Sequence, residues 1–118
     1  MRYFVILTGD QPSTPPPPEL MEGIMQLGME ADQAGAMIDN QGLAPSALGA
    51  RITIAGGELS ITDGPFAETK ELISYALWET RSKEEAVEWT RRFMKLHLDH
   101  WEGWEGKAEI RQVFEPPA

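Results

Sequence analysis

Cysteine is absent from the chain, which removes a disulfide framework, a thiolate nucleophile and every cysteine-based zinc or iron–sulfur site. Basic residues are scarce. Ten Lys and Arg stand against nineteen Asp and Glu, a formal charge of −9, whereas neutralising phosphates needs clustered Lys and Arg. Arg91-Arg92 is the densest basic spot, and on a helix it reads as a solvated face. No nucleic-acid partner is expected. No apolar run reaches the length of a bilayer span, and the first residues read directly as a strand, without a charged region leading into a long apolar one. The expectation is a cytoplasmic protein with no membrane partner. Glycine-rich phosphate loops, nucleophile elbows and dinucleotide fingerprints are also missing, so nucleotide-dependent and serine-hydrolase chemistry fall away and no cofactor is expected. There is no internal repeat.

What is present is patterned as one domain over residues 1–118, long enough to bury a core without staples. Residues 2–8, Arg-Tyr-Phe-Val-Ile-Leu-Thr, are aromatic and β-branched and end at Gly9-Asp10, the pattern of a strand. Tyr3, Val5 and Leu7 face one way and Phe4 and Ile6 the other, so each side needs a cover. Residues 11–18 hold five prolines and cannot be regular structure, which makes them a stiff surface connector. Pro18 suits a first helical position, and Leu20, Ile24, Leu27, Ala31 and Ala34 mark a helical stripe that stops at Gly35. Met21, Met25 and Met29 form a neighbouring row suited to filling a core or an interface.

Residues 36–39 read as a short strand, and residues 51–55 and 58–62 flank Gly56-Gly57, a two-residue hairpin signal. Residues 72–79 form a long strand with two largely apolar faces, where the small polar Ser74 marks a place at which a cleft reaches the sheet. Ser82 and Glu85 have capping-box spacing and start a second helix. Its inward stripe is Ala86, Trp89, Phe93, Leu96 and His97, with His100 nearly on the same side and Gly103 as the stop. Residues 109–114 alternate as a last strand. The order β-α-β, hairpin, β-α-β defines an α+β fold with a mainly antiparallel sheet and both helices on one side. Two helices cover one sheet face only, so a homodimer through the other face is expected.

Between the hairpin and the long strand stands Asp63-Gly64-Pro65-Phe66-Ala67-Glu68-Thr69-Lys70-Glu71. Gly64 before Pro65 forces a turn, because Pro65 has a fixed φ and disfavours helix at the preceding residue. Asp63 then ends a strand with its carboxylate placed to accept turn N–H bonds or to face a cleft. If Pro65 opens a short helical turn, Glu68 and Glu71 fall near its positive end. Charged side chains on a turn held by rigid strands are a common place for function.

Residues 63–71 resemble the signature of the YCII-related, or DGPF-domain, family. Residues 1–114 also follow that family's order of strand, long helix, Gly42-Leu43 segment, signature and final charged-aliphatic strand. The resemblance implies a small ferredoxin-like βαβ(β)βαβ domain that dimerises face to face, as in the dimeric α/β-barrel group. Much of that family has no established activity. For some relatives a His and Asp pair has been proposed to act in acid–base chemistry, but their histidine lies early in the chain and residues 1–62 here contain none. The resemblance therefore carries over Asp63 and not the pair.

His97 and His100 are the only histidines, and their i, i+3 spacing can bring both rings near one ligand. Without a third ligand at a known spacing they do not define a metal site, and none is expected. Asp63 with either histidine would make an acid–base pair, since a carboxylate orients an imidazole and sets its tautomer. Lys70 beside Glu68 is a candidate anion-binding group, and Arg2 and Arg111 are candidates for binding a carboxylate ligand or pairing with the signature acids. Gly64, Pro65, Phe66 and Ser74 complete the candidate ligand-binding set. The first functional reading is a small-molecule enzyme of isomerase or lyase type, with Asp63 as acid or base in a cleft of a homodimer. The second is a non-catalytic ligand-binding or regulatory module, since related domains are associated with bacterial transcription regulation. The two separate on Asp63→Asn. A residue that only ties its turn should cost about 1 kcal/mol in a denaturation curve with ligand binding unchanged, whereas loss of an acid or base should depress turnover roughly 100-fold with the fold intact.

Overall fold

A computed structural model describes residues 1–11, 14–66, 68 and 70–115. The elements are β1 (Arg2–Gly9), α1 (Pro18–Gln33), β2 (Met37–Gly42), a 3-10 turn (Ser46–Leu48), β3 (Ala50–Ala55), β4 (Glu58–Asp63), β5 (Glu71–Glu79), α2 (Lys83–His100) and β6 (Gly106–Gln112). Four strands form one sheet in the order β2-β5-β1-β6, and every pairing in it is antiparallel. Each βαβ unit leaves a gap between its own two strands that is filled by a strand of the other unit. That strand order, with the β3–β4 hairpin set aside, is the ferredoxin-like α+β arrangement.

Local chemistry explains the element boundaries. Pro18 stands at the first position of α1, where its missing N–H costs nothing, and Gly35 follows the helix with φ 71°, a conformation that suits glycine. At α2 the Ser82 hydroxyl accepts from Glu85 N at 3.2 Å, and the Glu85 carboxylate accepts in return from Arg81 N at 3.2 Å. The capping box is thus formed with its second bond one residue earlier than usual. Along β1 the side chains of Tyr3, Val5 and Leu7 are buried while Phe4, Ile6 and Thr8 are half-buried, the period of two expected of a strand with helices on one side. The core gathers Tyr3, Val5, Ala31, Ala36, Trp78 and Ala86, and Trp78 stacks on Trp89 with ring centroids 5.6 Å apart. Leu20, at 1% exposure, adds about 2 kcal/mol of apolar burial.

The structure corrects several expectations. The hairpin does not join the main sheet but forms a two-stranded sheet of its own. The second strand runs to Gly42 rather than ending at Asp39, and the last strand begins at Gly106 and stops at Gln112, because Gly106 pairs with Gly9 at the end of β1. Pro65, Phe66 and Glu68 belong to no helix, and the Gly64–Pro65 peptide is cis; Ala67 and Thr69 lie outside the described residues, as do Pro12 and Ser13 of the proline-rich connector. Met21, Met25 and Met29 are 45%, 67% and 61% exposed, so the methionine row fills no core in this chain. Among the described residues no helix is long and apolar enough to cross a membrane.

Gly64 has a steric reason to be glycine. A Cβ there would lie 1.7 Å from the Ser46 carbonyl oxygen, while the Gly64 N–H donates to Gly49 O at 2.9 Å. The end of β4 is therefore pressed against the 3-10 turn. Gly64→Ala should cost about 2 kcal/mol or more in urea unfolding, whereas Gly28→Ala, with nothing within 4 Å of its added Cβ, should stabilise α1 by about 0.5–1 kcal/mol.

Candidate functional site

Between the helix layer and the sheet lies a cavity of about 960 Å³, walled largely by apolar groups from β1, β5, α1 and α2. Val5 and Leu7 form its floor, Leu20, Ile24 and Leu27 line the α1 side, and Phe93, His97, Trp101 and Trp104 line the end of α2 and its following turn. Polar residues are a minority: Asp10, Gln11 and Thr14 stand on one wall, Asn40, Gln41, Ser74 and Tyr75 on another, and Thr90 on α2 beside His97. Large, mostly apolar cavities with a few placed polar groups are the usual form of small-molecule sites.

The aromatic end is built around one imidazole. His97 is 6% exposed, with the Phe93 and Trp104 ring centroids each 4.7 Å away and Trp101 stacked on Trp104 at 5.8 Å. Its Nδ1 lies 3.0 Å from the Phe93 carbonyl oxygen. A carbonyl only accepts, so Nδ1 carries the hydrogen and Nε2 keeps its lone pair. Trp78 Nε1 is the one fully buried side-chain nitrogen or oxygen without a partner among the described residues; His97 Nε2 bonds to no described residue and keeps some exposure, on a side chain that lines the cavity. Burial pushes the His97 pKa below its ordinary value, against a smaller opposing effect of the Phe93 bond. The site thus presents a neutral, tautomer-fixed acceptor in an apolar wall, whereas the unpaired Trp78 Nε1 is sealed away from any ligand.

Trp104 is positioned by two glycines and one hydrogen bond. Its indole lies over paired Gly9 and Gly106, where an added Cβ would come within 2.5 Å and 2.3 Å of the ring, and its Nε1 donates to Asp10 O at 3.0 Å. The Asp10 carboxylate accepts from Glu105 N at 3.0 Å and pairs with Lys70. The Lys70 hydrogen bond, helped by Glu105 N–H, holds the Asp10 carboxyl below the usual carboxylate range. One acidic residue therefore joins the signature to the aromatic end of the cavity.

The signature itself forms a clamp. The Arg51 guanidinium sits 3.8 Å above the centre of the Phe66 ring and pairs with Glu68 at 2.9 Å, which lowers the Glu68 pKa. The Ser46 hydroxyl donates to Glu71 at 2.7 Å. These groups line a smaller concavity of about 390 Å³ with Thr8, Leu72 and Lys70. Arg51 and Glu68 answer each other there and Lys70 is answered by Asp10 outside the concavity, and such exposed pairs contribute little to stability.

The sequence-predicted residues divide accordingly. His97 and Ser74 line the large cavity, and Phe66, Glu68 and Lys70 line the small one. Gly64 and Pro65 form the turn against Ser46. Asp63 is exposed at the end of β4 and lines neither concavity; no described residue hydrogen-bonds its carboxylate. His100 is exposed, so the two histidines are not brought together: three residues turn the helix by 300°, enough to move the second ring from wall to solvent. Arg2 pairs with Glu79 at 3.9 Å and Arg111 with Glu109 at 2.8 Å, and neither meets the signature, which adjoins the other end of β1. Sequence reasoning missed Asp10, Trp78 as an unpaired donor, and the wall formed by Thr14, Pro15 and Pro16. Asp10 was signalled only as a strand end. Among the described residues no three His, Asp or Glu side chains converge on a metal position.

No protein-family model matches the chain, so the resemblance stands on residues 63–71 and on the order of segments in residues 1–114. No curated protein matches it either. Among solved structures, a chain from Shewanella loihica described as a "putative monooxygenase" is similar over 98% of this chain and 96% of its own, at 13% identity and a TM-score of 0.35. A score that low carries no functional argument, and the fold assignment rests on the strand order described above.

The lowered His97 pKa has a defined effect on stability. Between the folded pKa and the ordinary value near 6.5 the unfolded chain binds the proton and the folded chain does not, so stability falls as pH drops through that window. His97→Gln, which cannot titrate, should lose this dependence. Urea midpoints of both proteins from pH 7.5 to 5 should converge on acidification, with carboxylates such as Asp10 and Glu68 acting at lower pH in both.

Proposed function

We propose that the chain is a small-molecule-binding protein whose ligand lies between the helices and the sheet, with His97 as the polar group that recognises it. The observation that carries this reading is an accessible imidazole Nε2 set in the aromatic end of a cavity of about 960 Å³. The wall chemistry favours a flat organic molecule that offers a hydroxyl or acidic C–H to Nε2. As an enzyme it would perform isomerase- or lyase-type proton transfer, with His97 taking a proton from the ligand inside an apolar site. The signature resemblance supports placing it beside YCII-related proteins. In that case Asp63 would act as acid or base only where a second chain completes its surroundings.

One observation favours the non-catalytic alternative. His97 Nδ1 is held by a backbone carbonyl and not by a carboxylate, so no negative charge stabilises the imidazolium that proton abstraction would create. A binding or regulatory module, including one associated with transcription regulation, needs only the neutral ring.

Calorimetry against phenols, flat organic acids and ring lactones tests both. His97→Phe keeps a ring and removes the acceptor, and should weaken binding by about tenfold or more, roughly 1.4 kcal/mol, with an unchanged melting temperature. Leu27→Trp should abolish binding by filling the cavity. Affinity untouched by both changes would move the site elsewhere. Turnover that falls roughly 100-fold in His97→Phe would separate enzyme from binding module.

A further inference from the structure

The cavity between the helices and the sheet offers a ligand no countercharge. All ten Lys and Arg are among the described residues, and none of them lines it. The three cations whose residue type suggested an anionic ligand are paired elsewhere, Arg2 with Glu79, Arg111 with Glu109 and Lys70 with Asp10. Asp10 is the one charged side chain in the wall among the described residues, and both of its oxygens are used, Oδ1 by Lys70 and Oδ2 by the Glu105 N–H. The helix ends add no positive field. α1 meets the cavity in its first turns through Leu20 and Met21, yet Pro17 and Pro18 have no N–H, and the Leu20 and Met21 N–H groups both donate to Pro17 O. That leaves the Glu19 N–H, whose own carboxylate stands in the same turn. α2 meets the cavity at its other extremity, through His97 and Trp101, and this is the negative end of a helix dipole.

We propose that the ligand of this cavity is uncharged, a neutral molecule whose hydroxyl meets His97 Nε2, and that anions are shut out. Charge selection of this kind rests on the proposed function of the cavity and narrows its ligand to one class. An ionised carboxylate is costly to take out of water unless it is paired and hydrogen-bonded. Here it would meet the lone pair of Nε2, because the Phe93 carbonyl holds the ring hydrogen on Nδ1. Burial also disfavours the imidazolium that would answer it. A protonated amine finds acceptors and aromatic faces but no free carboxylate. The polar groups left in the wall are neutral, the Asn40 amide and the Ser74 hydroxyl among them, and they suit a neutral polar group. The charge of −9 on the whole chain adds a long-range bias against anions.

Calorimetry of the full chain at neutral pH with a naphthol, the matching naphthoate and the matching naphthylmethylammonium compares one ring system in three charge states. The naphthol should bind about 30-fold or more tightly than either charged analogue, and Leu27→Trp should abolish its binding. Ser74→Lys puts a cation in the wall and should raise naphthoate affinity about tenfold or more. A charged analogue that binds as tightly as the naphthol, with both lost in Leu27→Trp, overturns the charge selection and leaves the cavity as the site. So does a folded Ser74→Lys whose naphthoate affinity stays at the wild-type value. Binding that survives Leu27→Trp, or no binding of any of the three probes, overturns the charge selection and the cavity reading together. If a variant fails to fold, the wild-type ranking decides the charge selection, and nuclear Overhauser contacts between bound naphthol and the His97 ring decide where it lies.

Discussion

A strand with apolar side chains on both faces has to be covered twice, and the chain around β1 is arranged to meet that demand once. Tyr3, Val5 and Leu7 turn toward α1 and α2, Phe4 and Ile6 turn away, and β5 repeats the arrangement beside it. The helices settle the first face incompletely. They close over Tyr3, Ala36 and Ala86, while over Val5, Leu7 and Ser74 the layers stand apart and enclose the cavity. The site and the open sheet face are therefore two consequences of one allocation, in which apolar sheet exceeds apolar helix.

Much of this was legible in the residues. Periodicity identified both helices, the hairpin turn and the long β5, and the Ser82–Glu85 spacing located the start of α2 within one residue. The His97 stripe pointed inward as drawn. What escaped was governed by contacts distant in sequence. That β6 begins at Gly106 depends on its pairing with Gly9 and on the Trp104 indole above both, and no local pattern in residues 101–108 contains that information. The hairpin's separation from the main sheet was equally hidden, because alternation fixes which side chains share a face and not which strand lies alongside. His100 falls off the stripe because three residues turn the helix by 300°, whereas the next position, Trp101, returns to the wall that His97 lines.

The site was legible in its residue types more than in its location. Charge, Gly-Pro and an aromatic coincide in residues 63–71, and the structure gives most of those groups partners on the preceding 3-10 turn and β3: Phe66 under Arg51, Glu68 on Arg51, Glu71 on Ser46. Contacts that tie a loop to its neighbouring strand hold geometry. Lys70 does so at a distance, since through Asp10 it fixes the backbone carbonyl on which Trp104 hangs. The signature and the aromatic cavity are joined by this link, which is mechanical rather than chemical.

Trp104 rests on the bare backbone of Gly9 and Gly106, and that floor has an evolutionary meaning. Any side chain there would lift the indole toward His97, so the width of the aromatic end is set by the absence of a methyl group at two positions remote from any chemistry. A single-base change from glycine to alanine at either would narrow the chamber without altering its polar groups. Ligand size can then drift among descendants of this sequence while the imidazole that reads the ligand is inherited unchanged.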